Sequence, residues 1–93
     1  MLTEVIRLPV EADGAEPLLD FMGSHAYFQQ DALRSHRLFR NEDEPEVLVI
    51  IEWNSRQDMD ETSANDLSTQ FRAEIAPLLA GAPVLGFYAE TGR

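Results

Sequence analysis

The sequence predicts one α+β domain in which the elements run β-α-β-β-α-β, with two helices on one face of a four-stranded antiparallel sheet. Three observations predict it. The run Val47-Leu48-Val49-Ile50-Ile51 is aliphatic throughout and four of its five residues are β-branched, which suits a pleated strand better than a helix. Leu67, Phe71, Ile75, Leu78 and Leu79 recur at helical spacing. At the two ends, Leu2 to Val10 and Val84 to Glu90 alternate with the two-residue period of strands.

The first strand places Leu2, Glu4, Ile6, Leu8 and Val10 on one side and Thr3, Val5 and Arg7 on the other, ending near Pro9, which donates no ladder hydrogen bond. Asp13-Gly14 is a turn signal. A helix is expected from about Glu16 to Gln30, with Pro17 in its first turn and an apolar face of Leu18, Leu19, Phe21, Met22, Ala26 and Phe28. Gly23-Ser24 weakens its middle and permits a break into two pieces.

Ala32 to Arg40 reads as a second strand, with Leu33, Ser35, Arg37 and Phe39 on one face and Arg34, His36, Leu38 and Arg40 on the other. It is weakly hydrophobic, which points to a position near an edge or beside solvent. Asn41 to Pro45 forms a polar hairpin loop into the central strand, Val47 to Trp53, which reads as buried on both faces. Ser55 caps a short helix with Asp58 three residues on, and Ser63 or Asn65 caps a longer one. Pro77 interrupts that helix, Gly81 terminates it, and residues 91–93 form a tail.

Ninety-three residues make one domain with a thin core. Two helices cover one sheet face and nothing in the chain remains for the other, so a homodimer through facing sheets is expected. The net charge of −10 argues against a nucleic-acid partner. No segment approaches the roughly 20 apolar residues of a membrane span, and nothing at the amino end reads as a signal peptide, so a soluble cytoplasmic protein is expected. Without cysteine, disulfides, thiolate metal sites and thiol catalysis are excluded, and the two histidines lack tight ligand spacing, so no metal site is expected.

The stretch Leu38-Phe39-Arg40-Asn41-Glu42-Asp43-Glu44-Pro45, followed by the strand ending Glu52-Trp53-Asn54-Ser55, resembles the antibiotic biosynthesis monooxygenase family of dimeric α+β barrels. So does Phe71 followed by Ile75-Ala76-Pro77-Leu78-Leu79-Ala80-Gly81. The resemblance implies a ferredoxin-like fold and a cofactor-free oxygenase acting on a quinol or other aromatic small molecule; the alternative is a non-catalytic dimeric binding or scaffold module. Where the family often carries an aromatic residue on its second strand, this chain has His36. The haem-degrading branch uses an asparagine on the first strand and a tryptophan and a histidine around the second helix. Here Val5, Ile6 and Arg7 stand in the first strand, and Asp58 to Leu79 holds neither Trp nor His, so haem degradation is not expected.

In that reading His36 and His25 are the candidate bases, because imidazole titrates near neutrality and can take a phenolic proton. Trp53, Tyr27, Tyr88 and Arg37 are the candidate ligand-binding residues. Each has a plainer alternative: surface histidines, a tryptophan anchoring the core, a tyrosine and an arginine at a strand rim.

Overall fold

The computed structural model describes all 93 residues. Strand β1 (Leu2–Pro9) leads into helix α1 (Ala15–Gly23) and a 3-10 turn (Ala26–Gln29). Strands β2 (Leu33–Arg40) and β3 (Glu46–Trp53) form a hairpin. Helices α2 (Arg56–Ser63) and α3 (Asp66–Ile75), a 3-10 turn (Ala76–Leu78) and strand β4 (Val84–Ala89) complete the chain. The strands lie in the order β2-β3-β1-β4, all pairs antiparallel. This is the ferredoxin-like arrangement, with β1 and β3 central and β2 at an edge.

The expected alternation in β1 holds. Glu4 and Leu8 face the helices and are buried, and across the ladder they meet Ile51 and Val47. In β3 burial also alternates. Val47, Val49, Ile51 and Trp53 are buried, whereas Leu48 and Ile50 are half-exposed on the opposite face. The expectation of a strand buried on both faces is therefore not met within one chain.

The long first helix stops at Gly23. Two residues later His25 is extended (φ −69°, ψ 138°) and its Nδ1 accepts the Tyr27 amide proton at 3.0 Å, capping the 3-10 turn. The break falls at the expected Gly23-Ser24 pair, and the capped turn that follows buries Tyr27 and Phe28 in the core. In β2 a bulge lies between Leu33 and Ser35. It moves Leu33 to the helix side opposite Trp53, away from the face of Ser35, Arg37 and Phe39 where strict alternation put it. Ser55 caps α2 through the Asp58 amide at 3.0 Å, and Asn65, not Ser63, caps α3 through the Ser68 amide at 2.8 Å.

Fifteen of the 93 residues are buried, which leaves a large apolar surface uncovered. Four of the exposed large hydrophobic residues, Val84, Leu85, Phe87 and Tyr88, belong to β4. That strand pairs with β1 alone and its side chains stay largely exposed, with Arg56 of α2 lying over the Phe87 ring at 4.6 Å. No helix is long and apolar enough to cross a membrane.

Candidate functional site

Because no helix packs closely on β4, the space between sheet and helices does not close completely. A cavity of about 220 Å³ occupies it. Its floor is Ile6, Val49 and Ile51 from the sheet; Phe28, Phe71 and Ile75 cover it. Ten of its fourteen wall residues are hydrophobic, so its occupant must be largely apolar. Leu85, 54% exposed, marks the side open to solvent.

Four polar groups break this apolar wall: Glu4, Tyr27, Ser63 and Arg72. Glu4 is only 7% exposed, on the helix-facing side of central strand β1. The Trp53 indole N–H donates to its Oε1 at 3.0 Å. No cation forms an ion pair with it, since the ion pairs are Arg7–Glu46, His25–Glu74 and Arg40–Glu16. A buried carboxylate is ordinarily matched by a charge or by several donors. Here burial pushes the Glu4 carboxyl above its ordinary value, and the Trp53 hydrogen bond and the charges of Arg56 and Arg72 offset this only in part.

Tyr27 reaches the cavity from the 3-10 turn. Its ring stacks on Phe71 at 4.3 Å and meets Phe28 edge-on at 5.0 Å. Burial raises its phenol well above the usual range, and the nearby Glu4 charge adds to this. No side-chain N or O atom in the protein is both fully buried and unpartnered, and the Tyr27 hydroxyl has no partner in the protein, so it opens onto the cavity. Arg72 is held at the rim by donating to the Ser63 carbonyl at 2.9 Å.

Of the six residues singled out in the sequence, Tyr27 alone lines this cavity. His25 is wedged between Phe21 and Phe71 at 5.3 and 4.8 Å. Its Nδ1 is taken by the Tyr27 amide, so its ring proton lies on Nε2, which donates to Glu74 Oε1 at 3.3 Å. Both nitrogens are occupied. His36 faces the helix side of β2 and stacks on Phe28 at 4.7 Å, but is not itself in the wall. Trp53 is fully buried and touches the site only through Glu4. Arg37 lies over the Phe39 ring at 5.7 Å on the opposite face of the sheet, as does Tyr88, which is 60% exposed. No three His, Cys, Asp or Glu side chains cluster as a metal site requires.

Glu4 is the group the sequence reading passed over. Its signal was present: a carboxylate among Leu2, Ile6 and Leu8 on the apolar side of a strand.

No family model and no curated protein sequence matches the chain. Solved structures do. The monooxygenase ActVA-Orf6 of Streptomyces coelicolor, determined with nanaomycin D bound, superimposes with a TM-score of 0.89 at 19% identity, over 99% of this chain and 88% of that one. SnoaB, a cofactor-independent oxygenase of Streptomyces nogalater, gives 0.79 at 21% identity over 97% and 92%. The fold is that of the antibiotic biosynthesis monooxygenases. Rv0793 of Mycobacterium tuberculosis is similar as well, with a TM-score of 0.79 at 20% identity over 96% and 93%. At these identities the likeness carries the architecture and leaves the chemistry to the site itself.

Proposed function

We propose that the protein is a small cofactor-independent monooxygenase acting on a phenolic or quinol-type aromatic compound bound between sheet and helices. The observation that carries the reading is the apolar, aromatic-walled cavity containing one unpaired carboxylate. Similarity to ActVA-Orf6 and SnoaB supports it. Size narrows the substrate. An apolar cavity of about 150 Å³ admits benzene; 220 Å³ suits a substituted single ring or a compact bicyclic one.

The chemistry needs no bound cofactor because the substrate supplies the electrons. A phenol with an open para carbon, or a quinol with an open ortho carbon, loses its proton, and the phenolate passes one electron to dioxygen. The resulting radicals join in a C–O bond, and loss of water leaves a quinone. The four electrons that reduce dioxygen come from the ring; one oxygen atom remains in the quinone and the other leaves as water. A dry cavity favours this by keeping reactive intermediates from bulk solvent.

A second reading is a non-catalytic binding module of the same fold, favoured by the absence of either imidazole from the wall. In both readings the protein works as a homodimer. Val5, Leu48, Ile50 and Phe39 share the outer sheet face, and a second copy related by a two-fold axis would bury that patch. Oxygen-electrode measurements with a panel of naphthols, hydroquinones and simple phenols separate the two readings. Uptake of one dioxygen per quinone formed, with no hydrogen peroxide released, supports the enzyme. Binding without uptake leaves the module. His36→Ala retains turnover if the cavity is the site.

A further inference from the structure

We propose that Glu4 is the group that receives the ligand's phenolic hydroxyl and takes its proton. The inference deepens the oxygenase reading and rests on it for the reaction that follows proton transfer. Three features of the geometry carry it. Glu4 stands in the cavity wall, on a central strand whose neighbours hold its position on both sides. Trp53 occupies Oε1, which leaves Oε2 with no partner in the protein and free for a donor arriving in the cavity. The walls that would flank a ring at that point are aromatic, with Tyr27, Phe28 and Phe71 packed against one another.

The groups that act on this carboxylate come from three elements. Tyr27 comes from the 3-10 turn, Arg56 from α2 and Arg72 from α3. Neither arginine forms an ion pair with it, and Arg72 is tied to the Ser63 carbonyl and Thr69. A plainer role, accepting the Trp53 indole proton, would be served equally by an amide. A carboxylate there, at the cost of burying a charge, is explained by a proton to be moved. Burial also makes it a stronger base than an exposed carboxylate, closer to the range where proton transfer near neutral pH is efficient. The step is simple. The phenolic O–H bond breaks, the new O–H bond forms on Glu4 Oε2, and the electron pair stays on the phenolate. The proton can later return to an oxygen of the product.

The test uses 4-nitrophenol, whose colour reports its own ionisation, bound to the wild type and to Glu4→Gln. Glutamine keeps an oxygen for Trp53 and loses the base. In the wild type the bound probe is expected to ionise at least one pH unit higher than in Glu4→Gln, a tenfold change in its ionisation constant, because carboxylate and phenol hold one proton between them. Equal ionisation in the two proteins overturns the proposal, and so does failure of the probe to bind the wild type. If Glu4→Gln does not fold, Glu4→Asp, which draws the carboxyl back by one methylene, takes its place, and an unmoved ionisation overturns the proposal equally. With an oxidised substrate, kcat of Glu4→Gln is expected to fall by about 10²-fold or more with little change in probe affinity measured below the probe's ionisation. Undiminished turnover overturns the proposal. Absence of oxygen uptake by the wild type ends the oxygenase reading alone, since the probe titration still decides whether Glu4 meets the ligand.

Discussion

Trp53 and Glu4, 49 residues apart, are joined by an indole N–H donated to a carboxylate at 3.0 Å inside the core. The two lie on adjacent central strands, two residues out of register: Glu4 is opposite Ile51 and Trp53 opposite Leu2. The bond therefore runs diagonally across the helix-facing side of the sheet. It fixes the carboxylate at the cavity edge and satisfies the indole N–H of a tryptophan fully buried in the core.

The charge on Glu4 opposes folding at neutral pH. Its folded value is raised by burial, so between its unfolded and folded values the folded state holds more protons, and stability falls as pH rises through that window. Glu4→Gln is expected to equal or exceed the wild type in Tm at pH 7, with the gap narrowing as pH is lowered through the carboxylate range. Thermal melts of both proteins between pH 4.5 and 7.5 check this. A gap that widens on acidification contradicts it.

Tyr27→Phe removes a hydroxyl with no partner in the protein, so unfolding in urea should be almost unchanged. A ligand that bonds to that hydroxyl loses roughly 0.5–1.5 kcal/mol, or about two- to twelvefold in affinity. Calorimetric titration with a naphthol measures it. A large loss of stability would mean that the hydroxyl is satisfied in solution.

Ile50→Glu places a charge at the middle of the outer sheet face, opposite Val5 of the neighbouring strand. In the proposed dimer it is buried without a partner, so the expected product is a folded monomer. Sedimentation velocity at micromolar concentration should show the wild type at twice the monomer mass and the variant at the monomer mass. A wild-type monomer at that concentration removes the sheet-to-sheet dimer.

Asn65 does two things at once. Its Oδ1 accepts the Ser68 amide proton at 2.8 Å, and its Nδ2 donates to Gln30 Oε1 at 2.8 Å, tying the start of α3 to the segment that carries Tyr27. Asn65→Ala is expected to cost about 1–2 kcal/mol in chemical denaturation. Ser55→Ala loses a cap alone and is expected to cost about 1 kcal/mol or less. Equal losses would show that the Gln30 link contributes nothing.

Much of this fold is legible along the chain because short-range physics decides it. Proline at Pro9 and Pro77, the caps at Ser55 and Asn65, and the β-branched run of β3 act within a few residues of themselves. The two-residue period of β1 then sorts its faces correctly, Glu4 included. The break after Gly23 was legible in Gly23-Ser24, whereas the bulge at Leu33 was not, because it depends on a contact made only on folding, the seating of Leu33 opposite Trp53.

The site divides the same way. Composition and pattern alone give the element order and the apolar helix-facing layer; Glu4 lies within that layer, and nothing short-range marks it as more than one polar residue on a strand. Tertiary structure decided which groups face the cavity. His25 and His36 look reactive on paper, yet one has both nitrogens engaged and the other stacks on Phe28 outside the wall. Glu4 looks like one acidic residue among seventeen until β3 brings an indole N–H to one of its oxygens and leaves the other bare. A side chain's reactivity depends on which of its lone pairs and protons are already spent, and those partners come from segments tens of residues away.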